Sequence, residues 1–492
     1  MIERPTSGSD PSDETAEYGF SSATSLLTDL QSGELSSVEL TEALLVRIAD
    51  VDDCDGGLKS ILAINAEALA QAQRADDLRT SPETSNLPLL GLPVLVKDNI
   101  EAVGLPATAG SLALAGRPVV ADAPLVKQLR DAGAIILGAT NLSEWANIRS
   151  GNSTSGWSAI NGLTANPWNY AHNAGGSSSG SGAAIAAGLA PLAVGTETDG
   201  SIVCPSSLNG VVGIKPTVGL VSKSGVIPVA GSMDSPGPMG RNVPDVALML
   251  EVLAGVRNLV QLCDDEAPLR IGLVDQWRTG DAATNAVLET AVAMLMDAGI
   301  EITDVKVPEL TEEVGQAELT ILLSELKEDL GAYLTSRSGS GVQTLADVVA
   351  FNLEHADVEL KHFDQSLFDL ALATGGRDES YRKAKELALD WAVQQVLSPA
   401  IANFDVLIGA SYGPAWVSTL GQGDRYDDAG PITCAPAIAG WPIGCLPMGF
   451  VGGLPVGLGV VARPRAEAEL VRAMGQIERV LGLSDLRPTF IK

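Results

Sequence analysis

Short apolar runs alternate with helical segments along most of this chain. Val94, Leu95 and Val96 form one such run, followed by Ala134–Leu137, Leu192–Gly195, Leu269–Val274, Phe404–Gly409 and Ile443–Met448. Runs of this length and composition predict buried strands. Between them the apolar positions fall at helical spacing: Leu40, Leu44, Leu45 and Ile48 share one face, as do Leu319, Leu322, Leu323 and Leu326. Punctuation agrees with the periodicity. A first helix ends near Gly33, and a second starts at Ser36 with Glu39 three residues on, a capping box. An alanine-rich helix covers 66–75. Asp122 is the expected N-cap of a helix with Pro124 in its first turn and its end at Gly133. Helices are expected at 178–188 and 282–298, the latter leading into the strand GIEITDV as a βαβ unit, and residues 311–402 read as mostly amphipathic helix. This alternation predicts a parallel or mixed sheet covered by helices. No linker rich in Pro, Gly or Ser divides the chain and no repeat appears, so one large domain is expected over 20–492.

Composition narrows the function. Sixty-one Asp and Glu against 31 Lys and Arg give a net charge of −30, which repels phosphate backbones and argues against a nucleic-acid partner. The five cysteines (54, 204, 263, 434 and 445) are scattered and form no CxxC, which argues against a disulfide framework or zinc site and points to the cytoplasm. Residues 1–19 are rich in Ser, Asp and Glu, lack an apolar core, and read as an unordered tail without a signal peptide. The most membrane-like stretch, 182–195, is short, small-residue and broken by Pro191, so no membrane span is expected.

Chemistry concentrates between Gly175 and Ser224, where glycine and serine cluster at two points around a small-residue helix and an apolar strand. Glycine lets main-chain N–H groups approach a ligand closely. Thr196–Gly200 reads as a tight turn, and Ser201 follows it ahead of a short helix, an arrangement suited to a nucleophile beside an oxyanion hole. Gly176-Ser177-Ser178-Ser179-Gly180 satisfies the G-x-S-x-G elbow formally, but the preceding NPWNYAHNAG reads as turns where that motif needs a strand. A Ser-His-Asp triad has three histidines to draw on. His355 and His362 sit in a charged helical region, and His172 reads as a structural hydrogen-bonding residue. Lys97 ends the run VLVK. It is either a strand-end lysine that snorkels to solvent or a desolvated amine able to act as a base, and the scarcity of histidine favours the second.

Four segments together, GLPVLVKDNI, GGSSSGSG, GTETDGSIVCP and NGVVGIKPTVGLVS, make the chain resemble the amidase signature family of Ser–cis-Ser–Lys hydrolases from about Ser22 onward. The resemblance implies an α/β fold, a single domain with a central twisted mixed β-sheet covered by helices on both faces, with a catalytic core over 85–260 and a helical roof over 311–423. It implies Ser201 as nucleophile, Ser177, twenty-four positions earlier, as bridging serine, and Lys97 as base. It implies a cis Gly176–Ser177 peptide, an oxyanion hole from the N–H groups of Thr198, Asp199, Gly200 and Ser201, and substrate contacts from Ala146, Asn147 and Gly176. Asp234 and the segment SPGPM are expected to be a loop packing beside the site. Neither metal nor organic cofactor is needed, and a monomer or homodimer is expected. Within the family the resemblance is greatest to the bacterial peptide amidases, which release ammonia from C-terminal peptide carboxamides, through TAGSLAL, NLSEWAN, SGWSA and SPGPM. Most members, including the A subunits of tRNA-dependent amidotransferases, carry GGSIR at the nucleophile turn; here it reads DGSIV. The alternatives are an aryl- or alkyl-amidase for small amides, an amidotransferase component of the A type, and a binding scaffold without activity.

Overall fold

In a computed structural model that describes residues 17–337, 339, 341–425 and 431–490, eleven strands build one mixed sheet. In chain order they are β1 (Ile61–Ile64), β2 (Pro93–Lys97), β3 (Ile135–Thr140), β4 (Leu192–Glu197), β5 (Val212–Lys215), β6 (Ser235–Gly240), β7 (Arg270–Val274), β8 (Glu301–Val305), β9 (Val406–Ala410), β10 (Ile443–Val451) and β11 (Leu454–Val461). Their spatial order is β1-β3-β2-β4-β6-β5-β10-β11-β9-β7-β8. β2 runs parallel to both β3 and β4, and β7 parallel to both β8 and β9, while the remaining pairs are antiparallel. The fold is a single α/β domain whose sheet is flanked by helices.

The strongest sequence signals hold. Ser36 Oγ accepts from Glu39 N at 3.1 Å while Ser36 N donates to the Glu39 carboxylate at 2.9 Å, closing the capping box of helix Ser37–Val51. Helix Ala282–Asp297 connects β7 to its parallel neighbour β8. Leu323 and Leu326 are buried on helix Glu312–Ser336, with Leu319 and Leu322 half-buried. Among the described residues no helix is long and apolar enough to cross a membrane.

Several expectations are corrected. Ala123, not Asp122, occupies the N-cap of helix Pro124–Asp131; the Asp122 carboxylate instead accepts from Val103 N at 2.7 Å and pairs with Arg130 at 3.0 Å. β4 continues past Gly195 through Thr196 and Glu197, because these residues pair with Pro236 and Ser235. The SPGPM stretch is therefore not a loop but strand β6, placed between β4 and β5. Two prolines are tolerated there because β5 pairs only with Met239 and Gly240, so Pro236 and Pro238 border one ladder, not two. Asn169–Asn173, expected as turns, pairs antiparallel with Ala165–Asn166. The unordered tail expected over 1–19 lies outside the described residues as far as 16; residues 17–20 form a helical turn.

Long-range contacts tie the beginning of the described chain to its middle and end. Helix Ala23–Ser32 points its first N–H groups at the Asp245 carboxylate, from Ala23 at 2.8 Å and Thr24 at 3.0 Å. The Phe20 ring is contacted by the guanidinium groups of Arg47, Arg241 and Arg487 at 4.6, 4.9 and 5.0 Å.

Candidate active site

Three segments converge at the carboxyl ends of β2 and β4. β2 ends on Lys97, whose side chain is fully buried. Its Nζ donates to Ser177 Oγ at 2.7 Å, to Thr196 Oγ1 at 2.9 Å and to the Thr196 carbonyl at 3.2 Å. Asn99 Nδ2 donates to the same Thr196 hydroxyl at 2.9 Å. Burial lowers the Lys97 pKa to about 7, against the opposing pull of the Glu197 and Asp234 carboxylates. Of the two sequence readings of this lysine, the desolvated amine is the one the structure supports.

Ser177 follows a cis Gly176–Ser177 peptide and precedes helix Ser179–Ala186. Its carbonyl accepts from Ser143 N at 3.1 Å, and the next N–H, on Ser178, donates to the Ser201 carbonyl at 3.1 Å. That bond ties the two serine segments together. Ser178 Oγ donates instead to the Thr196 carbonyl at 3.0 Å, which makes it a brace for β4 and leaves Ser177 facing Lys97. A side chain at Gly176 would lie 2.2 Å from Ser143 Oγ, so this close approach requires glycine.

Ser201 precedes helix Val203–Asn209 in the turn that leaves β4. The turn is held from within: the buried Glu197 carboxylate accepts from Ile202 N at 2.6 Å and Val203 N at 2.9 Å. Burial pushes the Glu197 acid upward while the buried Lys215 ammonium counters it, and burial also lowers Lys215 to about 8. On the other flank Thr198 Oγ1 donates to Asp234 at 2.6 Å, and the second Asp234 oxygen accepts from Val229 N and Ala230 N at 2.9 and 3.0 Å. Gly200 takes φ 76°, and a Cβ there would lie 2.3 Å from Tyr412 Oη.

Ala146, Asn147, Gly176, Ser177, Asp199 and Ser201 line one cavity of about 450 Å³, together with Glu318, Tyr412 and Cys434 from the distant half of the chain. Thr198 lies instead on a neighbouring cavity. Ala146 and Asn147 belong to a turn in which Trp145, Ala146 and Asn147 all have positive φ (51°, 55° and 74°). Such a run of non-glycine residues is uncommon. It is anchored by Arg149, completely buried between Glu144 at 3.3 Å and Glu359 at 3.7 Å, with its guanidinium 4.3 Å from the Phe363 ring. On the same cavity, Asp199, Glu318 and Cys434 bring donor atoms within 4.8 Å of one another. Burial raises both carboxyls, and the Asp199 charge raises Glu318 further, so a proton shared between the acids fits the chemistry of the group.

The histidines lie apart from this machinery. His355 stacks on Phe351 at 4.0 Å and His362 meets Trp157 edge-on at 5.4 Å, while the backbone of His172 bridges to Val417. The residues that sequence reasoning missed are the ones that act through others: Thr196 and Asn99 around the amine, Glu197 inside the turn, Glu318 and Tyr412 from remote helix and strand ends.

Known proteins resemble this chain along most of its length. A family model described as Amidase matches residues 39–471. The A subunit of glutamyl-tRNA(Gln) amidotransferase from Symbiobacterium thermophilum is 34% identical over 484 residues, covering 93% of this chain and 96% of that protein. A probable amidase from Arabidopsis thaliana is 35% identical over 460 residues, 89% of this chain and 85% of its own length. Among solved structures, native peptide amidase from Stenotrophomonas maltophilia superposes with a TM-score of 0.86 at 39% identity, covering 93% of this chain and 96% of that one.

Proposed function

This chain belongs to the amidase signature family, and from that premise we propose that it hydrolyses C-terminal peptide amides or related carboxamides through Ser201, Ser177 and Lys97. The observation that carries the reading is the 2.7 Å contact between the buried Lys97 amine and Ser177 Oγ, beside a cavity that both serines line.

A serine hydroxyl attacks an amide only as it loses its proton. With Lys97 neutral, the contact to Ser177 reverses direction: the hydroxyl donates to the amine lone pair and frees Ser177 Oγ to accept the Ser201 proton. Ser201 Oγ then bonds to the carbonyl carbon, and the oxygen, now anionic, is received by the N–H groups of Thr198, Asp199, Gly200 and Ser201. One such donor contributes roughly 3 kcal/mol. Collapse breaks the C–N bond as Ser177 returns the proton to the leaving nitrogen, which departs as ammonia and leaves an ester on Ser201. Water, deprotonated by the same relay, cleaves the ester to a carboxylic acid and restores Ser201. Every proton the reaction moves is carried by groups of this chain.

Ala146, Asn147 and Gly176 are the substrate-contacting residues of this reading. Residues 85–260 form its catalytic core. Residues 311–423 roof the cleft, supported by the presence of Glu318, Tyr412, Tyr333 and Arg377 on the cavity walls. Free thiols at all five cysteines fit a cytoplasmic enzyme, acting as a monomer or homodimer. The amidotransferase relatives keep a second reading in view, but DGSIV in place of GGSIR supports the hydrolase. The test is ammonia release from a panel of peptide amides, anilides and aliphatic amides with no second protein present. Ser201→Ala and Ser177→Ala should each lower kcat by about 10⁴ or more while circular dichroism stays unchanged. Substantial activity in either variant refutes the assignment.

A further inference from the structure

The serine cavity is lined by three buried side-chain atoms that have no hydrogen-bond partner among the described residues: Asn147 Oδ1, Asp199 Oδ1 and Glu318 Oε1. All three are acceptors. They come from separate segments: the left-handed turn at 145–147, the nucleophile turn, and helix Glu312–Ser336. A buried acceptor without a donor carries its full desolvation penalty. A ligand that fills this cavity therefore gains by bringing N–H groups to it.

The remaining polar atoms of these side chains are held in place. Asn147 Nδ2 donates to Asp424 Oδ2 at 3.1 Å, which sets the direction of the amide and leaves Oδ1 unpartnered. The Asp199 carboxyl is hydrogen-bonded to the Thr433 side chain and to Glu318. Cys434 Sγ donates to Glu318 Oε2 at 3.4 Å. The proton that the two acids share lies between them, so each acid keeps an oxygen that can accept.

Spacing narrows the donor. Two acceptors, each about 2.9 Å from one trigonal nitrogen, stand roughly 5 Å apart. Asp199 and Glu318 each bring a carboxylate oxygen within 4.8 Å of the other. One nitrogen carrying two hydrogens can thus serve both. A primary carboxamide presents such a nitrogen, bonded to the carbon that Ser201 attacks. An ester oxygen has no hydrogen to offer there, and a peptide-bond nitrogen has only one. As Ser177 delivers its proton and the C–N bond breaks, the nitrogen gains a third N–H, and Asn147 Oδ1 is the remaining acceptor on the cavity.

We propose that Asp199 and Glu318 form the leaving-group site, accepting both N–H bonds of a primary carboxamide nitrogen, with Asn147 Oδ1 receiving the third as ammonia departs. The proposal rests on the amide-hydrolase reading above, and it makes Glu318 a specificity-determining residue for amides over esters. The experiment measures kcat/KM for N-acetylphenylalaninamide and for the methyl ester of the same acyl group, because this constant reports formation of the acyl-enzyme. The proteins are the wild type, Glu318→Met and Glu318→Gln, each checked by circular dichroism. Methionine removes both acceptor oxygens at similar length, and glutamine keeps one without its charge. The amide-to-ester ratio should fall about ten- to hundred-fold in Glu318→Met, the loss expected for a hydrogen bond to a charged acceptor, and by less in Glu318→Gln. Ester turnover should stay within about threefold of wild type in both. Should one variant fail to fold, the other carries the comparison. Equal loss on the two substrates, or a ratio within about twofold of wild type in the folded variants, overturns the leaving-group site while the hydrolase reading stands. Failure of the wild type to release ammonia from any peptide amide overturns that reading and the site with it.

Discussion

Replacing Lys97 by methionine removes the amine and keeps a long apolar stem in a site with no solvent exposure. The wild-type pKa falls from 10.5 to about 7 on burial. Between those values the unfolded chain binds a proton that the folded chain does not, so wild-type stability rises with pH across this window. Below about 7 both states are protonated and the full penalty for burying the charge is present. That penalty is roughly 4 kcal/mol at pH 7 and falls to roughly 1–2 kcal/mol at pH 9.5. Methionine has no such dependence. It does leave Ser177 Oγ, Thr196 Oγ1 and the Thr196 carbonyl without their Nζ partner, at about 1 kcal/mol each. The variant should therefore be inactive, more stable than wild type by roughly 1 kcal/mol at pH 7, and less stable by roughly 1–2 kcal/mol at pH 9.5. Urea denaturation of both proteins at the two pH values measures the difference. A stability difference that stays the same at both pH values would show that Lys97 is not a buried, depressed amine, and the mechanism would lose its base.

Activity should carry the same signature: kcat/KM of the wild type is expected to rise about tenfold from pH 6 to pH 8 as Lys97 becomes neutral, and a flat profile across that interval would point to another base. Glu197→Ala strips the acceptor from Ile202 N and Val203 N, so stability should fall by roughly 2–4 kcal/mol and kcat with it, read by denaturation and steady-state assays. Arg149→Met leaves the buried Glu144 and Glu359 carboxyls without their cation and should cost roughly 3–5 kcal/mol in denaturant unfolding.

Two of the three catalytic candidates carry a local mark in the sequence, whereas Ser177 came only from the family resemblance. Lys97 interrupts an apolar run, Ser201 follows a tight glycine turn, and scarcity of histidine directs attention from one to the other. What holds them was not legible. Thr196 and Glu197 read as turn because Thr-Glu-Thr-Asp has no apolar signal; their strand conformation comes from pairing with residues nearly forty positions later. β6 was hidden by its prolines, which a sheet accepts only where a neighbouring ladder stops short. Asp122 reads as a cap from its residue type, but Arg130 and Val103 N draw it elsewhere. Glu318 and Tyr412 reach the cavity from helices and strands whose packing no local pattern encodes.

The contacts made by residues 20–24 have a consequence for synthesis. Helix Ala23–Ser32 emerges from the ribosome about 220 residues before the Asp245 carboxylate that receives its first N–H groups, and Phe20 meets Arg487 only after about 240 residues more. Helix Ala23–Ser32 therefore remains without its Asp245 anchor while β2, β3 and β4 are being made. Nascent chains stalled before residue 245 should expose this segment to protease, and those extended well past 487 should not.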